Sequence, residues 1–375
     1  MECAKKNLGI AVIGCGGRAK EVIKAFIKAA DGYASVSIAY DLDSNAVEKA
    51  RVAWKMSTLN QASSLETAVN APNVDLVAIF TPNSEHCSAI LAALAARKQV
   101  FSEKPLATTL EDCERIMVAE QESGISIMTG FVLRYAPIYR KIKELLDSGT
   151  FGKILNIAAS ENRESSGGGA SMSADYGWRR FREKAGPYLL EKCCHDLDLL
   201  NWYAGCLPHR VAAFCGLDFF IPEYSELWNK YDKENFAALV PNENRINPFT
   251  SPKNIYDNHS VIMEYPNGIK MSFQLTLANA SPERRMYISC TEGTIIAESI
   301  SGVLAFRRYD EPYETRLVYY GGGHGGGDQV MAKEIMGALL SGKKIVVSGS
   351  QNGSACAKVA LAADESARTG KIVTC

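Results

Sequence analysis

The chain is short of the features that announce several protein classes. No Cys-x-x-Cys pair occurs among its 11 cysteines, and only 5 histidines are present. The spacings of zinc ribbons, zinc fingers and thioredoxin-like redox sites are therefore missing, and no metal is expected. An odd number of scattered cysteines in 375 residues points to reduced thiols rather than a disulfide framework. No apolar run is long enough to span a bilayer. The opening MECAKKNLGIAVIG has no basic segment, long apolar stretch and cleavage site of a secretory signal. A cytoplasmic protein is the expectation. A formal net charge of −1 supplies no electrostatic reason to expect nucleic acid or an anionic membrane as partner.

What is present is a chain with 47% hydrophobic and 22% charged residues, enough to bury a substantial core. Its length predicts two domains. LGIAVIG (8–14) is a continuous apolar run ending at glycine, as a buried parallel strand does. GRAKEVIKAFIKAA (17–30) has helical periodicity, and SVSIAYD, DLVAIFTP, QVFSEKP and ISIMTG continue an alternation of strand and helix up to residue 130. That pattern predicts a parallel sheet covered by helices on both faces over residues 1–130. The remainder, 131–375, reads as an α+β domain with a large, mostly antiparallel open sheet. SVIMEYPNGIKMSFQL turns at Pro266-Asn267-Gly268, and RRMYISCTEGTIIAES turns at Glu292-Gly293. SSGGGASMS (165–173) reads as a Gly/Ser-rich loop, and 221–256 as a long surface excursion.

Gly14-Cys15-Gly16-Gly17-Arg18-Ala19 fits G-x-G-x-x-G/A at a strand-to-helix junction. Gly14 allows the tight turn, Gly16 lets the backbone approach a pyrophosphate, and Ala19 permits close helix–strand packing. Asp41 closes the second strand where a ribose-binding carboxylate is expected. It would accept from the ribose hydroxyls and repel a 2′-phosphate, favouring NAD over NADP. Lys104 precedes Pro105 at the carboxyl end of QVFSEKP, the end that opens onto the ligand crevice of such a sheet.

LLEKCCHDLD (189–198) is the other concentrated stretch. On a helix, Glu191, His195, Asp198 and Trp202 form one stripe, while Cys193 faces the opposite side and Cys194 the flank. Cys193, Cys194 and His195 therefore cannot easily ligate one ion, and packing explains the thiols better. A histidine four residues after a carboxylate has its basicity and orientation set by that neighbour.

These motifs occur in the order used by one family. The glycine turn, Thr81-Pro82-Asn83 with His86, Glu103-Lys104-Pro105, FVLRYAPIYRKIKELLDSGTFGKI (131–154), Trp178-Arg179, the 189–198 helix, GGGHGGGD (321–328) and AADESARTGK resemble the Gfo/Idh/MocA oxidoreductases. The resemblance implies a Rossmann domain, a C-terminal domain whose open sheet often mediates oligomerisation, and a homodimer or homotetramer. It implies that Gly14, Cys15, Gly16, Gly17, Arg18, Ala19, Asp41, Thr81, Pro82, Asn83, His86, Glu103, Lys104, Trp178 and Arg179 contact or frame the cofactor. It places a general base at His195. The family pattern is Asp-x-x-x-His, so Glu191 and the charged Lys192 are departures whose catalytic roles stay open.

The reaction implied is NAD-dependent oxidation of a secondary hydroxyl on a sugar, sugar derivative or cyclic polyol. His195 takes the proton and Lys104 polarises the oxygen. Arg134, Arg163, Glu191, Lys192, Asp198 and His324 supply further polar contacts to a hydroxyl-rich substrate. The alternative is an enzyme that cleaves glycosides through transient oxidation of the C3 hydroxyl with tightly held NAD.

Overall fold

Leu8–Ile13 (β1) is six buried apolar residues in a row, a sequence that is satisfied only in the middle of a covered sheet. The structure, a computed structural model, describes residues 7–173, 177–343 and 347–375. After β1 come α1 (Gly17–Ala29), β2 (Ala34–Tyr40), α2 (Ser44–Ala53), α3 (Leu65–Val69), β3 (Leu76–Ile79), α4 (His86–Ala95), β4 (Gln99–Ser102), α5 (Leu110–Ser123) and β5 (Ile127–Thr129). The strands pair in parallel in the order β2-β1-β3-β4-β5. The chain winds outward from β1 to β2 and then crosses to β3, so the order reverses between β1 and β3. Ligands of open parallel sheets bind outside the carboxyl ends of the strands at such a point. Ala19, Val22, Ile23 and Phe26 form the buried face of α1. Phe26 meets Phe101 of β4 edge-on, with ring centroids 5.1 Å apart.

The second part runs α6 (Pro137–Asp147), β6 (Ile154–Glu164), α7 (Ser165–Ser173), α8 (Arg182–Ala185), α9 (Tyr188–Ala204), β7 (Arg210–Gly216), α10 (Leu227–Lys230) and α11 (Glu234–Ala237). It continues through β8 (Asn258–Glu264), β9 (Lys270–Asn279), β10 (Glu283–Cys290), β11 (Gly293–Glu298), β12 (Val303–Arg308) and β13 (Thr315–Val318). The chain ends in α12 (Gly327–Ser341), α13 (Ser350–Thr369) and β14 (Val373–Thr374). A nine-stranded sheet has the order β13-β12-β11-β10-β6-β9-β8-β7-β14. Its β6–β9 pair is parallel and its other pairs are antiparallel. Both hairpins read from the sequence, β8–β9 and β10–β11, are present.

Two segments differ from their reading. SSGGGASMS is a helix, α7, rather than a loop. Its glycines are there for proximity: a Cβ on Gly168 would lie 2.1 Å from the Leu277 carbonyl oxygen, and one on Gly169 would lie 2.1 Å from that of Phe236. The 221–256 stretch is no mere surface excursion. Trp228, Phe236 and Phe249 are buried in it, and Phe249 lies 5.5 Å from Phe220, just before the stretch, and 5.3 Å from Phe236, ring centroid to centroid.

The compact units are discontinuous in sequence. One comprises residues up to Ala136 with Gly326–Ala357; the other comprises Pro137–Gly325 with Lys358–Cys375. In the first, α12 packs on α1 and on the turn Val132–Tyr135. Among the described residues no helix is long and apolar enough to cross a membrane.

Candidate active site

In the first unit, the loops after β1 and β3 meet at the strand-order reversal. Gly14 has φ +85°, and a Cβ there would lie 2.8 Å from backbone atoms of Phe80 and Thr81, so only glycine fits. Gly16 and Gly17 have nothing within 4 Å of a built Cβ, which leaves open space above the turn. No side chain caps α1, and no acidic residue lies in its first turn. The N-terminal N–H groups of the helix are thus available to a phosphate. Asp41 accepts the Cys15 N–H at 2.7 Å and the Asp43 N–H at 2.9 Å, which fixes its carboxylate beside the turn. These residues fit the pyrophosphate and ribose of a dinucleotide. Burial, with Asp41 second, pushes the Cys15 thiol up to about 12, so it is no thiolate nucleophile.

His86 braces the next two loops. Its Nδ1 lies 2.7 Å from the Pro105 carbonyl oxygen and its Nε2 3.1 Å from that of Thr81. Burial holds the imidazole below its ordinary pKa against the pull of those carbonyls. The Lys104–Pro105 peptide is cis. Pro82 and the buried Asn83 form the short turn leading into α4. Arg18 does not extend toward open space: its Nε donates to Glu103 at 2.6 Å, and its Nη1 pairs with Asp328 at 2.7 Å. Glu103 also accepts the Lys104 backbone N–H at 3.2 Å. Arg134 belongs to this first unit, buried, with Nη1 donating to the Val347 carbonyl at 3.0 Å.

In the second unit, α9 keeps Glu191, His195 and Asp198 buried along one stripe. The His195 ring lies 5.9 Å from that of His324, whose own backbone is left-handed at φ 55°. Arg179 donates to Glu191 at 2.8 Å and stacks over Trp178 at 4.4 Å from the ring centroid. Arg163 donates to the Tyr188 hydroxyl at 2.7 Å. Lys192 reaches Glu161 of β6 at 3.3 Å.

The opposite side of α9 holds a group that sequence reasoning missed. Asp196 accepts two hydrogen bonds from Arg284 of β10, at 2.9 and 2.6 Å, and Glu161 lies 3.7 Å from the same guanidinium. The Cys193 thiol donates to Glu161 at 3.5 Å. Donor atoms of Glu161, Cys193 and Asp196 lie within 4.8 Å of one another, a spacing a metal could use. Arg284 and Lys192 already match both carboxylates, however, and the group reads as a charge-balanced network. Burial opposes the Glu161 charge, but Arg284 and Lys192 overcome it and hold the carboxyl below its usual range. Burial raises Asp196 to about 6 despite Arg284. The Cys193 thiol is pushed well up by burial, then by Glu161 and Asp196. The available signal was the alternation Ile157, Ala159, Glu161 in β6, which puts a carboxylate on the buried face of the strand.

Comparison with known proteins bears on both units. Residues 8–131 match the oxidoreductase family with an NAD-binding Rossmann fold, and residues 139–296 match the GFO/IDH/MocA C-terminal domain. The chain belongs to the GFO/IDH/MocA oxidoreductases. It carries that family's NAD-binding Rossmann domain. Inositol 2-dehydrogenase of Gluconacetobacter diazotrophicus is 34% identical over 197 residues, 52% of this chain and 54% of that protein. The 2,7-anhydro-N-acetylneuraminate hydratase of Escherichia coli is 28% identical over 165 residues, 44% of this chain and 42% of that protein. These alignments span about half of each relative. A levoglucosan dehydrogenase in complex with NADH and levoglucosan has the same fold. Its TM-score is 0.82 at 19% identity, covering 98% of this chain and 99% of that one.

Proposed function

We propose that this protein oxidises a secondary hydroxyl of a sugar, sugar derivative or cyclic polyol, reversibly, with NAD. The observation that carries the reading is the buried Glu191–His195–Asp198 stripe on α9, in a chain whose other unit is an NAD-binding domain. NAD supplies the acceptor for the hydride leaving the carbinol carbon. His195 takes the hydroxyl proton. Lys104 donates to the same oxygen and stabilises its developing negative charge; a compact ammonium suits that task. Arg163, Arg179, Glu191, Asp198 and His324 orient a hydroxyl-rich ligand, and Asp41 favours NAD over NADP. The inositol dehydrogenase and levoglucosan dehydrogenase relatives support a carbohydrate or polyol as substrate class.

The test is a panel of sugars, anhydrosugars and cyclitols mixed with protein and NAD. NADH fluorescence should appear with a subset; a silent panel contradicts the reading. A second reading is favoured by the hydratase relative and by the extra acid–base groups Glu191 and Lys192. In it, transient oxidation acidifies a neighbouring C–H, elimination or cleavage follows, and the cofactor ends as it began. Its mark is a changed sugar without net NADH.

An assembly of two or four copies is part of the same proposal. Ile296, Tyr287, Ala158, Ser272, Ile262 and Ala212 line up in register across six strands of the nine-stranded sheet. Phe214, on the same sheet, is 82% exposed. That apolar face supports a homodimer or homotetramer. The described cysteines form no disulfide, which supports a reducing, cytoplasmic setting.

A further inference from the structure

Arg18 stands in the middle of the glycine-rich turn, where a cation invites assignment to the dinucleotide phosphates. Its surroundings point elsewhere. The guanidinium is largely buried, with 22% of the side chain exposed, and it lies between two carboxylates. Nε donates to Glu103 at 2.6 Å and Nη1 pairs with Asp328 at 2.7 Å, while Glu21 is a distant 3.9 Å away. Burial disfavours its charge, but Glu103 and then Asp328 more than offset that. Each partner is itself fixed. The free oxygen of Glu103 accepts the Lys104 N–H at 3.2 Å, and a Cβ on Gly130 would sit 3.1 Å from the Glu103 carboxylate. Asp328 lies in the first turn of α12, where a carboxylate suits the helix dipole. The preceding Gly327 lies so close to the Val132 carbonyl that a Cβ would be 2.4 Å from its oxygen. One side chain thus joins three separate motifs: the glycine turn, Glu103-Lys104-Pro105 and the glycine-rich GGGHGGGD.

We infer that Arg18 is a positioning residue whose guanidinium is committed to Glu103 and Asp328 rather than to the dinucleotide, and that it fixes the strand end carrying Lys104. A planar fork can serve two carboxylates at once; a lysine ammonium at the same place cannot match both directions. Without Arg18, Glu103 becomes a buried carboxylate lacking its cation, and it no longer holds the Lys104 N–H in place. The α12 N-terminus loses its tie to α1 at the same stroke.

The test compares the full-length protein with Arg18→Gln and Arg18→Lys in three readouts. NADH affinity by fluorescence is expected to stay within about threefold, since no phosphate contact is lost. Amide hydrogen exchange is expected to rise at Lys104 and in the first turn of α12, while α1 stays protected. With any polyol the parent oxidises, kcat is expected to fall at least about tenfold in Arg18→Gln with KM for NAD unchanged, and Arg18→Lys is expected to recover only part of it. Should Arg18→Gln not fold, Arg18→Lys and Asp328→Asn carry the same readouts. A tenfold or larger loss of NADH affinity with unchanged exchange at Lys104 and α12 would make Arg18 a phosphate ligand and overturn the inference. So would variants that match the parent throughout. The kinetic arm rests on the role proposed for Lys104; exchange and NADH binding need no substrate and remain decisive if no polyol is oxidised.

Discussion

The backbone N–H of Cys15 donates to the Asp41 carboxylate at 2.7 Å, tying the end of β2 to the glycine turn after β1. The carboxylate proposed to accept from the adenosine ribose is thereby fixed beside the turn. Asp41→Ser should weaken NADH binding and strengthen NADPH binding, shifting the ratio of the two affinities by at least about tenfold. Fluorescence titration with each nucleotide reads this directly, and an unchanged ratio would remove Asp41 from cofactor choice.

Glu191, one helical turn before the proposed base on the same stripe of α9, pairs with Arg179. Glu191→Gln preserves shape but leaves Arg179 with a weaker acceptor than an ionised carboxylate. KM for the sugar should rise about tenfold, while NADH affinity stays within about threefold. A reversed pattern, with NADH affinity lost and KM retained, would assign the pair to the cofactor instead.

His259 offers a pH test. It is buried on β8, its Nδ1 meets no hydrogen-bond partner among the described residues, and burial depresses its pKa from 6.5 to about 4. A base with a depressed native pKa binds its proton more readily when unfolded. Stability is therefore present above pH 6.5 and is lost as pH falls from about 6.5 to about 4, by roughly 3 kcal/mol in total. His259→Leu should flatten Tm against pH across that window. A slope equal to the parent's would show that another group governs it.

The glycines of α7 are a packing requirement, not a flexibility device. Gly169→Ala sets a methyl 2.1 Å from the Phe236 carbonyl oxygen and should cost about 1–3 kcal/mol. Gly167→Ala, whose nearest neighbour is the movable end of Arg163 at 3.0 Å, should cost less. Urea denaturation of the two variants side by side tests the order.

On the nine-stranded sheet, Ile262→Lys places a charge at the exposed β8 position of the apolar row. It should convert an oligomer to monomer in sedimentation without lowering Tm by more than a few degrees. A parent that is already monomeric would refute the assembly.

Much of this was legible because the signals are local. The β1 run, the glycine turn and the two hairpins each declare themselves through period and turn residues, and the α9 stripe follows from helical spacing alone. What was not legible depends on contacts distant in sequence. SSGGGASMS has loop composition, yet it is helical, and β9 and α11 approach it too closely for a Cβ at Gly168 and Gly169. Nothing local marks Asp196 as buried and paired, since its partner Arg284 is 88 residues away. Arg18 lies in the glycine turn that the resemblance assigns to the cofactor, and no local spacing announces its partners Glu103 and Asp328. The second unit's substrate contacts carry no spacing rule, which is why the sugar itself has to be found by experiment.

The central claim is tested most directly by NADH formation across a carbohydrate and cyclitol panel, run in parallel for the parent, His195→Asn and Lys104→Ala. The account predicts NADH with a narrow set of polyols for the parent. It predicts a loss of kcat of about 10²–10⁴-fold in each variant, with NADH affinity within about threefold of the parent's. No NADH from any compound, or a His195→Asn variant as active as the parent, would contradict it.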